Sequence, residues 1–365
     1  MGSIAANPFQ DVPAGRTEGL EALITQFRED TDPNRTDLLV GVYKTDEGKA
    51  IISTQTLGAS GGCHVGAVML KNHYGPWKEN GNPEIFLPSE SWLNHPFLFQ
   101  SAGIKASFLP YLSSKTNKFD FASFTEAIKL LPAQSVILLQ SGAQNPTGCD
   151  PSPDQWQELA SIFIQGGHLA FFDAAYPGFA SGDIDTDLEG VRLFAEREIP
   201  LVFVSTYGKC FGLYSERVGI LSILAPSEEV GKRIERHMKL LARAESGAPP
   251  DFGSKIVETV LSDDILQLQW RQEVRDMANQ LKSRRIALRE GLEKLETPGN
   301  WQHITDQNGM FSYVGLSVEQ VTLLRNKYHV YLQDSGRISI AGLNKFNIDY
   351  TARSISAVVK ATKPE

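Results

Sequence analysis

Four uninterrupted apolar runs constrain this chain more than any other feature: Ser135-Val-Ile-Leu-Leu139, His168-Leu-Ala-Phe-Phe172, Leu201-Val-Phe-Val204 and Ile220-Leu-Ser-Ile-Leu224. A strand with one wet face alternates apolar and polar residues, so a run without alternation belongs to a strand covered on both faces. Between the runs lie helix-like stretches such as Pro153-Asp-Gln-Trp-Gln-Glu-Leu-Ala-Ser-Ile-Phe163, whose acidic first turn suits a helix start. Strand and helix alternating in this way predict an α/β fold with a mostly parallel central sheet wrapped by helices. A long charged segment of helical periodicity then runs from Asp263 to about Leu295. Beyond it come strand-like pieces, Gly309-Met-Phe-Ser-Tyr-Val314 and Gly336-Arg-Ile-Ser-Ile340, and helical stretches around residues 318–327 and 350–361. The expected division is therefore a large domain over residues 50–275 and a smaller α+β domain over residues 276–365. Residues 1–49 are expected to form an N-terminal arm and part of the smaller domain.

Composition narrows the class. A length of 365 residues suits one large domain with a smaller companion. With 43 acidic against 35 basic residues the net charge is -8, and no basic block is interleaved with aromatics, which disfavours nucleic-acid binding. Cys63, Cys149 and Cys210 are widely spaced and odd in number, which suits a reducing compartment rather than a disulfide framework or a zinc site. Cys210 reads as a small apolar filler. The N-terminus lacks the pattern of a signal peptide, and no apolar run reaches membrane-spanning length. The expectation is a cytoplasmic protein without membrane partners.

The chemistry concentrates in Ser205-Thr-Tyr-Gly-Lys209-Cys-Phe-Gly-Leu-Tyr-Ser-Glu-Arg217-Val-Gly219, which follows the third apolar run. A lysine at a strand end is partly desolvated, which lowers its pKa and frees the amine as a nucleophile toward an aldehyde. Thr206 and Arg217 can hold a phosphate nearby. An amine to link and an anion clamp to position are the needs of a pyridoxal phosphate Schiff base. Other segments add to it. In Asn145-Pro-Thr-Gly148 a tight turn aims the Asn145 amide inward. Asp173 and Tyr176 come off the second apolar run, where a carboxylate can pair with a pyridinium nitrogen and a phenol with the ring phenolate. Gly58-Ala59-Ser60-Gly61 precedes a helix, so backbone amides and the Ser60 hydroxyl can take a phosphate. Trp92 offers a stacking face, and His95 follows three residues later. Arg243 and Arg337 are guanidinium groups able to grip a dicarboxylic substrate bidentately.

Taken in this order and spacing, the segments resemble the aspartate aminotransferase family, the class I aminotransferases of pyridoxal phosphate fold type I. The likeness runs from Asn7-Pro-Phe to the last helix and includes Leu39-Val-Gly41-Val-Tyr43 and Asp306-Gln-Asn-Gly-Met-Phe311. It implies that Lys209 carries the cofactor as a Schiff base and shuttles the proton. It implies further that Asp173 holds the ring nitrogen charged and that His95 orients Asp173. Tyr176 and Asn145 would bond the phenolic oxygen. Ser60, Ala59, Thr206 and Arg217 would line the phosphate site, and Trp92 would stack on the ring. Arg337 would bind the substrate α-carboxylate, with Gly41, Trp92 and Asn145 close by. Arg243 would reach the distal carboxylate from the partner subunit of a homodimer. The implied substrates are amino acids, aspartate or glutamate among them, and 2-oxo acids.

The chain also departs from the family pattern. Between Asp46-Glu-Gly-Lys49 and Ile52-Ser-Thr-Gln55 a block of several tens of residues is missing, with a tyrosine that reaches the partner's cofactor phosphate. Gly208 stands for the usual serine and Ala59 for a glycine, while Gln140 and Gln144 stand for histidines. Glu245, two positions from Arg243, is placed to neutralise it in part. Two alternatives stay open on sequence alone. One is a divergent or inactive pyridoxal phosphate-binding relative in a biosynthetic pathway. The other is a serine hydrolase, because Gly58-Ala-Ser60-Gly-Gly62 fits a nucleophile-elbow pattern.

Overall fold

The computed structural model describes residues 51–362. The expectations for residues 1–49, Gly41 included, lie outside the described residues. Seven strands form one sheet: β1 (Ile51–Leu57), β2 (Glu84–Pro88), β3 (Lys105–Leu109), β4 (Val136–Gln140), β5 (Leu169–Ala174), β6 (Leu201–Thr206) and β7 (Val218–Leu224). Their order is β1-β7-β6-β5-β4-β2-β3. The strands from β3 to β6 pair in parallel, and β7 and β1 close that side antiparallel. The four apolar runs are β4 to β7, the neighbours β4 and β5 being buried throughout. The fold is α/β with a mostly parallel sheet, as the runs predict.

Both sheet faces carry a core, and β5 shows how one strand serves both. Phe171 packs with Met69, Leu70 and Phe99 on one side, whereas Phe172 packs with Trp156, Phe163 and Phe194 on the other. The first face is covered by helices Gly58–His73 and Glu228–Ser246, the second by Phe121–Lys129, Pro153–Gly166 and Glu189–Glu196. Helix Pro153–Gly166 has the start its sequence predicts: Ser152 and Gln155 form a capping box, Pro153 sits in the first turn, and Gly167 closes the other end in a left-handed conformation.

Helix Asp264–Lys294 runs for 31 residues, its first amides capped by the Asp263 carboxylate. It packs on helix Ile348–Ala361, beside the antiparallel pair β8 (Phe311–Tyr313) and β9 (Arg337–Ser339). Ala143, Tyr176, Phe179 and Cys210, from loops beyond the carboxyl ends of the large sheet, belong to the same buried cluster as Val274, Leu288 and Ile355. The carboxyl ends of β4, β5 and β6 therefore face this second layer. In an open parallel sheet, that is where ligands bind.

Candidate active site

Asp173 is the next-to-last residue of the fully buried β5 and is 4% exposed. Its Oδ2 lies 3.0 Å from His95 Nε2, and His95 Nδ1 lies 2.7 Å from Ser91 Oγ. A carboxylate only accepts, so Nε2 carries a proton, and in the neutral ring Nδ1 accepts from the Ser91 hydroxyl. The histidine thus fixes one carboxylate oxygen. The other, Oδ1, is buried without a hydrogen-bond partner among the described residues. Leaving a buried carboxylate oxygen unpaired is costly, so this atom calls for a donor that the described residues do not supply. A protonated ring nitrogen is such a donor.

Lys209 stands three residues past the end of β6, half-buried, with Nζ 4.8 Å from the centre of the Tyr176 ring. Burial lowers its pKa, the nearby Asp173 carboxylate partly opposes this, and Arg217 lowers it further. Burial, with Asp173 adding to it, pushes the Tyr176 phenol well up. Burial also pushes the Cys210 thiol up to about 12, and at 5% exposure that side chain is an apolar filler. Lys209, Phe179, Phe211, Tyr214, Trp270 and Met310 border a cavity of about 580 Å³.

The turn bearing Asn145 is clamped by the two glutamines that replace the expected histidines. Gln140 grips the Asn145 backbone on both sides, accepting from its N–H and donating to its carbonyl, each at 3.0 Å. Gln144 accepts from the Thr147 backbone and hydroxyl and donates to the Glu90 carbonyl. The Asn145–Pro146 peptide is cis. The Asn145 side chain is left to meet Arg337, whose Nη1 donates to Oδ1 at 3.2 Å. The Arg337 guanidinium lies 4.2 Å over the Phe311 ring, and burial lowers its pKa. No carboxylate among the described residues pairs with it, so its other donors are open to an anion.

A second anion site forms where helix Gly58–His73 begins. Its N-cap, Leu57, makes no side-chain cap hydrogen bond, and the Gly58 amide donates to the Arg217 carbonyl, so the amides that follow it in the first turn are left open. Arg217 lies against Gly58, donating to the carbonyls of Tyr214 and Leu57. Ala59 and Ser60 are in the helix's first turn. An open helix start beside a guanidinium suits a phosphate. Thr206 is buried close by, but its hydroxyl is already engaged, donating to the Val218 carbonyl and accepting from the Gly208 amide. Trp92 meets the His95 ring edge-on, with centres 5.4 Å apart.

Asp173, His95, Tyr176, Lys209, Asn145 and Arg337 thus come together, with Trp92 and the Arg217 helix start alongside. Arg243 does not join them: it is exposed near the end of helix Glu228–Ser246, with no ion pair among the described residues. Glu245, expected to neutralise Arg243, instead pairs with His64 at 2.6 Å. Ser60 has no hydrogen bond to any histidine among the described residues, so the elbow-like pattern lacks the base a serine hydrolase needs.

A sequence model of the family "Aminotransferase class I and II" matches residues 44–355. This chain belongs to that family. Among curated relatives of this aminotransferase, the cytoplasmic aspartate aminotransferase of Dictyostelium discoideum is 33% identical over 406 aligned positions, covering 98% of this chain and 92% of the relative. Because 406 positions are spread over a chain of 365 residues, at least 41 of them have no residue here, in keeping with the block expected to be missing. The aspartate aminotransferase from Saccharomyces cerevisiae cytoplasm superposes with a TM-score of 0.82 at 30% identity, covering 97% of this chain and 99% of that one. The aromatic-amino-acid aminotransferase of Burkholderia pseudomallei, covalently bound to pyridoxal phosphate, superposes at 0.81 with 28% identity, covering 96% and 99%.

Three contributors escaped the sequence reading of this aminotransferase. Cys63 places its thiol within 4.8 Å of His95 and Asp173, and burial holds that thiol protonated. Phe311 backs Arg337, its only sequence signal being its place in Asp306–Phe311. Arg285, fully buried, carried no signal within its charged helix.

Proposed function

We propose that this chain is a pyridoxal phosphate-dependent aminotransferase that moves the amino group of aspartate, glutamate or a related amino acid to a 2-oxo acid through a Schiff base on Lys209. The observation that carries this reading is the buried, unpartnered Oδ1 of Asp173, held in place by His95 within the same cluster as a partly desolvated lysine. When bound there, pyridoxal phosphate supplies an electron sink for the pair left at Cα when a C–H bond breaks.

Everything else falls to the chain's own side chains. Asp173 would keep the ring nitrogen protonated, and Tyr176 and Asn145 would bond the ring oxygen. Trp92 supplies a stacking face. Arg217, the Ala59 amide and Ser60 would hold the phosphate, with Thr206 bracing the loop beside them. Lys209 Nζ would be the base that takes the proton from the substrate Cα and holds it for return. Burial lowers its pKa, which makes the neutral, proton-accepting amine easier to reach and so supports this role. Arg337 binds the α-carboxylate bidentately, steadied by Asn145 and Phe311. Trp92 lies beside that subsite, and Gly41, outside the described residues, is assigned to it by the family resemblance alone. Arg243, which has no ion pair among the described residues, serves the distal carboxylate of the partner's site, which makes the working form a homodimer. The curated relatives support a cytoplasmic location. Residues 50–275 are the large cofactor-binding domain, and residues 276–365 are the small one.

The test is spectroscopic. Adding pyridoxal phosphate to the purified protein should create a band near the visible edge that Lys209→Ala abolishes. Aspartate should then bleach that band, and a 2-oxo acid should restore it. A band that survives Lys209→Ala would remove Lys209 from its role.

A further inference from the structure

Arg285 is the largest fully buried side chain among the described residues, 2% exposed in the middle of helix Asp264–Lys294. A buried cation normally pairs with a carboxylate. Arg285 pairs with none among the described residues. Its guanidinium instead donates to backbone carbonyls: Ile304 at 2.9 Å, Asn308 at 2.7 Å, Gly309 at 3.0 Å, and Phe311. Four carbonyls from one turn converge on a single planar fork, so the turn's shape is set by the arginine.

That turn touches the candidate carboxylate site in two ways. Its far end carries Phe311, whose ring lies under the Arg337 guanidinium and edge-on to Tyr176 at 5.8 Å. Its near end is bonded to the loop that bears Asn145, because the Asn308 amide donates to the Gly148 carbonyl at 2.8 Å. The fit there is close: a Cβ on Gly148 would come within 2.5 Å of the Asn308 carbonyl oxygen and 2.9 Å of that of Phe311. Both neighbours of Arg337, the Phe311 ring and the Asn145 amide, are therefore referred to the same buried fork.

We propose that Arg285 is a positioning residue for substrate binding: by gathering the carbonyls of the turn from Ile304 to Phe311, it fixes Phe311 and the Asn145 loop around Arg337 and so sets the guanidinium's aim at the substrate carboxylate. This rests on reading Arg337 as the carboxylate site. Lysine keeps the charge at position 285, but its three donors sit on one atom and cannot span four carbonyls.

The experiment uses the full chain loaded with pyridoxal phosphate. In Arg285→Lys, the KM for amino acid and oxo acid and the calorimetric Kd of an unreactive dicarboxylate, succinate, should each rise about tenfold or more, with kcat and cofactor affinity changing less than about threefold. A lowered Tm with unchanged KM and succinate Kd overturns the proposal and leaves Arg285 a packing residue. So does an equal fall in kcat and cofactor affinity at constant KM. If Arg285→Lys does not fold, Phe311→Leu takes its place: it keeps the pinned turn but removes the ring under Arg337, and an unchanged succinate Kd there overturns the proposal too. Arg337→Ala separates the two ideas. If it leaves succinate binding unchanged, the reading of Arg337 fails; if it weakens binding while Arg285→Lys does not, only the role of Arg285 fails.

Discussion

At Lys209, burial lowers the pKa and the Asp173 carboxylate raises it, with burial the larger influence. The folded chain therefore holds this proton less tightly than the unfolded chain does. Between the lowered folded value and the ordinary lysine value of about 10.4, the unfolded state binds more protons, so stability from this group rises with pH. Lys209→Met removes that dependence. In the cofactor-free protein, the Tm of Lys209→Met minus that of wild type should fall as pH climbs from neutral toward about 10, the ordinary lysine range. A flat or rising difference would show that the ammonium is not desolvated. Lys209 and Asp173 were legible in sequence because each follows an apolar run, so local pattern alone put them at strand ends. Arg285 was not, because it sits beside Arg284 and near Arg289 in a charged helix, and only packing reveals which arginine turns inward. The roles of Gln140 and Gln144 were equally hidden, since their partners are backbone atoms brought close by the fold.

Among the elements, the meeting of β7 with the start of helix Gly58–His73 sets the proposed phosphate site. Gly58 has a φ of 66° and donates its amide to the Arg217 carbonyl at 3.0 Å. Gly219, in β7, lies so near that a Cβ would come within 2.5 Å of the Gly58 carbonyl carbon. Backbone atoms on both sides leave no side chain to give way. Gly219→Ala should thus push the helix start away from Arg217 and weaken cofactor retention about tenfold, roughly 1.4 kcal/mol. Dialysis of the loaded protein followed by absorbance measures it, and retention equal to wild type would mean the phosphate is held elsewhere. The helix was foreseen, as were β4 to β7, because buried strands read as unbroken apolar runs. β2 and β3 were not singled out. They are five residues each, and Lys105-Ala-Ser-Phe-Leu109 at the sheet edge mixes exposed and buried positions. At an edge, half the covering that makes a strand readable is absent.

For the whole molecule, the question is whose site Arg243 completes. Among the described residues it has no ion pair, and its neighbour Glu245 pairs with His64 instead. Large apolar side chains are also exposed: Leu240, three residues before Arg243 on the same helix, and Leu93 and Phe97, neighbours of Trp92 and His95 in sequence. Faces of this kind favour association. The two arrangements give opposite results when variants are mixed. Lys209→Ala and Arg243→Ala should each abolish or severely reduce dicarboxylate transamination as homodimers. In a hybrid dimer, one site combines an intact Lys209 with the Arg243 contributed by the other subunit. If Arg243 acts across the interface, that site is complete, and the hybrid should recover up to about half of wild-type activity per dimer, because it has one sound site of two. If Arg243 acts within its own subunit, every site in the mixture lacks one of the two groups and no activity returns. Activity should also return with the time course of subunit exchange, so a mixture that stays inactive after exchange is complete would place Arg243 outside the shared site.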